Sequence, residues 1–163
     1  MIRVVSMSAK TGKQPILVPV DFSPHAAAAL LKAAELAECT GQPLLALHVV
    51  HDPAEMPGYY GQVTKKKKLV RIEDLAREAF EEFLQKVQKT NPALKPLRKC
   101  GKLLVMGLPV TRILEVQDKT GATMIVMGSQ GRTGLDHLML GSKAEQVVRL
   151  ASVPVLIVKD ERG

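Results

Sequence analysis

Five short apolar runs alternate with longer helix-patterned stretches along this 163-residue chain, and that alternation restricts the fold more than any other feature. The runs are Pro15–Val20, Leu44–Val50, Lys99–Met106, Thr123–Met127 and Val155–Val158. Each is short for a core helix and carries too few polar residues for a strand with one wet face, so each reads as a strand buried on both sides. Between the first two, Ser23 is placed to cap a helix and Pro24 suits its first turn, while Gly41 stops it. The intervening His25–Cys39 is rich in alanine and leucine, and Lys32, Glu35 and Glu38 share one polar stripe. A long loop broken by Pro53, Pro57, Gly58 and Gly61 follows the second strand. From Val70 onward, Ile72, Leu75, Ala76, Ala79, Phe80, Phe83, Leu84 and Val87 keep a three-four spacing. Gly107-Leu108-Pro109 turns into a helix through Ile113, Leu114 and Val116. The last helix spans Ser142–Ala151, with Ala144, Val147, Val148 and Ala151 facing inward. Strands separated by helices are joined by right-handed crossovers and lie parallel. The expectation is an α/β fold: a basic tail over 1–14, then one doubly wound domain over 15–163 with helices on both faces.

Composition narrows the function classes. The chain is 46% apolar and 24% charged, ordinary for a globular protein. No apolar run approaches the roughly 18–20 residues of a membrane span. No secretory signal is expected, and Cys39 and Cys100 form no framework or metal pattern, which suits a cytoplasmic protein with reduced thiols. The net charge of +7 is partly local, with Arg3, Lys10 and Lys13 in the tail and a run at Lys65–Lys68 that reads as a solvated loop. With two Tyr, three Phe and no Trp to stack on bases, a nucleic-acid partner is not expected.

The chemistry sits after the fourth strand, in Gly128-Ser-Gln-Gly131-Arg-Thr-Gly134 and, further on, Gly141-Ser142. Glycines at 128, 131 and 141 permit positive φ and let backbone N–H groups approach a ligand. Ser142 opens a helix, whose first N–H groups lack intrahelical partners and attract anions. Ser142 through Glu145 also fits a capping box. The pattern describes a phosphate cradle; a Gly-x-x-Gly alone is equally a common α/β turn, and Ser142 is equally a plain cap.

The longer spacing resembles the universal stress protein family, and the likeness covers nearly the whole chain. It is carried by Ile16-Leu-Val-Pro-Val-Asp21-Phe-Ser23, Leu45-Ala-Leu-His48-Val49, Gly107-Leu-Pro109, Met127-Gly128-Ser129, Gly131, Gly141-Ser142 and Pro154-Val155. The resemblance implies a five-stranded parallel sheet of order 3-2-1-4-5 and the binding of ATP or AMP. Asp21 and Gly128 then lie at the carboxyl ends of adjacent strands, a topological switch point. By the same resemblance, Pro19, Val20, Asp21 and Val49 border the adenine and ribose, and Met127 and Gly128 lie against the nucleoside. Gly131, Gly141, Ser142 and Lys143 surround the phosphates, with Arg132 also counted among the binding positions. Three positions depart from the common family pattern. Gln130 replaces a frequent His, Lys143 a small apolar residue, and Ala144 a hydroxyl. Lys143 either contacts phosphate or points to solvent.

Other motifs are absent. Ala9-Lys-Thr-Gly-Lys13 has the letters of a P-loop in the wrong order, and the first strand is not followed by Gly-x-Gly-x-x-Gly. His25, His48, His51 and His137 lack metal-ligand spacing; His48 reads as a satisfied core residue, and His51-Asp52 as loop. No triad or general base is evident, so no catalytic residue is assigned and slow ATP hydrolysis is the most enzymatic reading. Mg2+ or Mn2+ is expected only through nucleotide phosphates. The leading expectation is an adenine-nucleotide-binding regulatory protein of the stress response. The alternative is a dimeric scaffold with weak or no nucleotide binding. A homodimer through the apolar edge Val153–Val158 is expected in either case.

Overall fold

A computed structural model of the chain describes residues 2–6 (as backbone), 12–50, 72–131 and 140–160. Its elements are β1 (Ile2–Ser6), β2 (Ile16–Pro19), α1 (Pro24–Thr40), β3 (Leu44–Val50), α2 (Ile72–Thr90), α3 (Lys95–Arg98), β4 (Gly101–Met106), α4 (Pro109–Thr120), β5 (Met124–Gly128), α5 (Ser142–Leu150) and β6 (Val155–Val158). The Lys65–Lys68 run, His51, Asp52, Arg132, Gly134 and His137 lie outside the described residues.

The five apolar runs form parallel strands in the order β4-β3-β2-β5-β6, which is the expected order. The tail contributes a sixth strand. β1 lies antiparallel along β4, with Ile2 opposite Val105 and Val4 opposite Leu103. No local signal announces it, because the partner is far downstream and the strand is only five residues long. A second difference lies at Lys99. The strand begins at Gly101, because Lys95 and Pro96 open a single helical turn that buries Leu97, leaving Lys99 and Cys100 to turn the chain.

Two cores form, one on each face of the sheet. Ile16, Val18, Val20, Ala46 and Val126 pack with α1, α2 and α3. Leu17, Leu47, Val49, Ile125 and Met127 pack with α4 and α5. Every residue of β3 is buried, as its unbroken apolar run demands. α1 is capped as the sequence specifies: Ser23 accepts from the Ala26 N–H, and Gly41 ends the helix at φ 68°. Its inward face is mostly alanine (Ala26, Ala29, Ala33, Ala34, Ala37), so its backbone lies close to the sheet. α5 is covered more narrowly than its pattern suggests. Ala144 and Val147 are buried while Val148 is 44% exposed, because α5 rests at the end of the sheet and shows only one stripe to it.

Candidate functional site

The centre of the sheet opens at its carboxyl end. β2 and β5 pair at Ile16–Met124 and Leu17–Ile125. Leu17 and Ile125 are fully buried, and each such side chain contributes about 1.5–3 kcal/mol, so the lower end of this seam is firmly held. Beyond it, among the described residues, β2 pairs with β3 alone and β5 with β6 alone. The chain leaves β2 towards β3 and β5 towards β6, which makes this crevice the topological switch point.

One wall of the crevice is the turn after β2. Asp21 Oδ1 accepts from the Ser23 hydroxyl at 2.6 Å and from the Ser23 N–H at 3.1 Å. Ser23 Oγ in turn accepts from the Ala26 N–H at 3.1 Å. This folding-back forces Phe22 to φ 67°, which costs a non-glycine residue about 1–3 kcal/mol. The cost is offset on the far side of the turn. The Phe22 ring stacks on His48 with centroids 4.2 Å apart and also meets Phe80 and Phe83. His48 is buried and its Nδ1–H donates to the Val20 carbonyl at 2.8 Å, which fixes the proton on Nδ1. His48 is thus the satisfied core residue its sequence context indicates, and it holds the strand end from which Asp21 departs.

The opposite wall is the glycine loop. The Ser129 N–H donates to the Val158 carbonyl, and the Ser129 carbonyl accepts from the Gly141 N–H, both at 2.8 Å. Ser129 therefore ties β5, β6 and the start of α5 into one corner. A Cβ on Gly128 would lie 2.7 Å from His25 Cβ, one on Gly131 2.9 Å from Asp21 Oδ2, and one on Gly141 3.3 Å from the Ser129 carbonyl oxygen. Asp21 and Gly131, remote in sequence, face each other across the crevice, with Asp21 Oδ2 beside the place a Gly131 side chain would start. None of these three glycines has positive φ. Their expected use as left-handed positions is therefore corrected: the loop needs them for their missing side chains. Gly128 in particular is packed against α1.

The helix start differs too. Gly141, at φ −59° and ψ 139°, is the N-cap, and α5 makes no side-chain cap hydrogen bond. Ser142 is exposed in the first turn, so the capping box does not form. The reason is the Gly141–Ser129 bond, which fixes the cap one residue earlier. The N-cap Gly141 therefore brings no side chain of its own to this helix end. Lys143, next to it, is exposed.

Of the other positions, Pro19 is half-buried, and Val20, Val49 and Met127 are buried beneath the strand ends at 5–7% exposure. The structure thus brings Pro19, Val20, Asp21, Val49, Met127, Gly128, Gly131, Gly141, Ser142 and Lys143 to one end of the sheet, while Arg132 lies outside the described residues. Sequence reasoning missed His25. Its Nδ1 accepts the Asp160 N–H at 3.2 Å and lies 3.5 Å from Ser129 Oγ, which places its proton on Nε2. Its position just inside the α1 cap, opposite a glycine, was the available signal. Among the described residues, no group of three or more His, Cys, Asp or Glu is placed to hold a metal.

The model of the universal stress protein family matches residues 13–159 of the chain. The chain belongs to the universal stress protein family. One member from Methanocaldococcus jannaschii is 41% identical over 88 residues, a match spanning 54% of this chain and 51% of that protein. A second from the same organism is 30% identical over 152 residues, covering 88% of this family member and 93% of that one. The solved universal stress protein of Archaeoglobus fulgidus in complex with dAMP superimposes with a TM-score of 0.57 at 26% identity, covering 90% of this chain and 98% of that one. No helix among the described residues is long and apolar enough to cross a membrane.

Proposed function

We propose that this universal stress protein binds an adenine nucleotide, ATP or AMP, in the β2–β5 crevice and serves the stress response as a cytoplasmic regulator whose state follows nucleotide occupancy. The observation that carries this reading is the convergence at the switch point of Asp21, the side-chain-free faces of Gly131 and Gly141, and the start of α5 at the glycine N-cap. Bare backbone beside a helix N-terminus suits phosphate, and Asp21 Oδ2 offers an acceptor to a base or ribose. The dAMP complex of the Archaeoglobus fulgidus relative supports an adenine ligand. Mg2+ or Mn2+ would arrive with the phosphates, since the described residues form no carboxylate cluster of their own to retain it. Pro19, Val20, Val49 and Met127 form the floor, Gly131, Gly141, Ser142 and Lys143 the phosphate side, and Arg132 follows directly on Gly131.

The protein also acts as a homodimer in this reading. β6 is the last strand of the sheet, and its four apolar residues are only half-buried, so its outer edge suits pairing with a second copy about a two-fold axis. Calorimetry with ATP and GTP tests the nucleotide site. ATP is expected to bind more tightly, and Gly131→Val to abolish binding while leaving the circular dichroism spectrum intact, because a branched side chain fills the cradle. Equal affinity for the two nucleotides, or normal ATP binding by Gly131→Val, would refute the assignment.

A further inference from the structure

The charge of this protein is distributed unevenly in a way that only the fold makes visible. Between Glu82 and Glu115 there is no acidic residue, yet the segment holds Lys86, Lys89, Lys95, Arg98, Lys99, Lys102 and Arg112. Arg112 belongs to α4 and pairs with Glu115. The other six lie on the last turns of α2, on α3 with its cap, and on the first residues of β4. α2 runs from the carboxyl end of β3 back to the start of β4. All six cations are therefore at the amino ends of the parallel strands, the end of the sheet opposite the crevice.

The shelf they stand on is fixed. Gln88 Nε2 donates to the Leu97 carbonyl at 2.7 Å, Leu97 is 1% exposed, and Arg98 donates to the Pro92 carbonyl at 2.8 Å. Lys86, Lys89, Lys95, Arg98 and Lys99 are exposed and Lys102 half-buried, and none of the six forms an ion pair with a described residue. Lys86 and Lys89 are one helical turn apart, as are Lys95 and Arg98, a spacing of about 5–6 Å. Glu82, one turn before Lys86, and Glu38 on α1 are not paired with them. Like charges rooted one turn apart with no acidic partner among the described residues repel weakly, and a ligand that presents a row of anions relieves them.

We infer that this shelf binds the phosphate backbone of double-stranded nucleic acid without reading its sequence. A duplex presents one negative charge per roughly 1.7 Å of axis, a density that matches clustered cations on a rigid base. The shelf carries no aromatic side chain for base stacking, which disfavours single strands. Among the described residues the large exposed apolar ones, Met106, Leu108, Leu140, Val148 and Leu150, lie elsewhere, so the shelf shows no apolar face of the kind a membrane-surface element inserts. The sequence expectation against nucleic acid rested on the scarcity of aromatics, which bears on stacking and leaves phosphate contacts untouched.

Fluorescence anisotropy of the full chain with a labelled random-sequence DNA duplex tests this. If about four phosphates are engaged, log K falls with log salt at a slope near −3.6, so Kd rises roughly 10²-fold between about 50 and about 200 mM salt. Replacing Lys86, Lys89 and Lys99 together by Gln should bring the slope to about −1 and weaken binding at low salt by at least tenfold, with ATP binding retained. Gly131→Val should bind duplex as the parent does, which separates the shelf from the crevice. The inference is overturned if the parent fails to bind duplex at low salt, or if the triple variant keeps the parental slope. It is equally overturned if binding is lost on replacing Lys65–Lys68 rather than the shelf lysines. Tighter binding to anionic lipid vesicles or to a poly-glutamate peptide than to duplex would also refute it.

Discussion

Replacing Gly128 by Ala isolates the role that the structure gives this glycine, because the damage should appear without any ligand. The added Cβ would stand 2.7, 2.8 and 2.9 Å from the Cβ, carbonyl carbon and carbonyl oxygen of His25. Two of these are backbone atoms of the first turn of α1, so no side chain can swing away, and the helix itself must retreat by roughly 1 Å. Ala26, Ala29 and Leu30 behind it are buried at 0–3% exposure, so the retreat opens contacts along the inner face of α1. Overpacking of this kind costs about 1–3 kcal/mol, and backbone contact places it in the upper half. The smaller conformational freedom of unfolded alanine returns about 0.4–1 kcal/mol. The expected net loss is about 2 kcal/mol, or roughly 4–8 °C in Tm for a chain of this size. Urea unfolding of the nucleotide-free protein, followed by circular dichroism, measures it. Gly131→Ala is the control. Among the described residues its Cβ would meet only Asp21 Oδ2, the end of a side chain, and a loss below about 1 kcal/mol is expected. If Gly128→Ala unfolds within about 0.5 kcal/mol of the parent, or is no worse than Gly131→Ala, the packing account is wrong.

Ser142→Ala should leave stability unchanged within about 0.5 kcal/mol, because Ser142 is exposed and caps nothing, and should lower ATP affinity; a loss above about 1 kcal/mol in urea would restore the capping box. Leu156→Lys on β6 should shift the protein towards monomer in sedimentation, and an unmodified protein that sediments as a monomer at micromolar concentration would remove the dimer altogether. Burial pushes the Cys100 thiol from 9.0 up to about 12, so the folded state keeps the proton after the unfolded chain has lost it. Stability should therefore fall through this group as pH rises from about 9 towards 12, and a Cys100→Ala variant should lack that component. A thiol reagent at neutral pH should label exposed Cys39 faster than half-buried Cys100, and equal rates would refute this difference in exposure.

The strands and helices that hold the site were legible because each is specified locally. An apolar run such as Leu44–Val50 has one reasonable fate, and Ser23, Pro24 and Gly41 mark the ends of α1 without help from the rest of the chain. What was not legible depends on partners distant in sequence. β1 needs β4, the single turn of α3 needs the pocket that buries Leu97, and the cap of α5 moved because the Gly141 N–H found the Ser129 carbonyl. Within the site, the glycines could be named from their spacing and Asp21 from the family resemblance. The Phe22–His48 stack could not, since it exists only because a tight turn reverses the backbone at Phe22.

That turn also has a mechanical meaning. Asp21 grips Ser23, Ser23 starts α1, and two residues later His25 holds the Asp160 N–H just past the end of β6. One wall of the crevice and the tip of the edge strand β6 are thus coupled to the same helical turn, by one bond of 2.6 Å and another of 3.2 Å. A ligand that draws Asp21 even slightly towards itself tugs on the first turn of a helix whose alanine face leaves little slack against the sheet. In the proposed reading, occupancy at the centre of the sheet would be passed through the first turn of α1 to the rim at β6, without any loop having to carry the message.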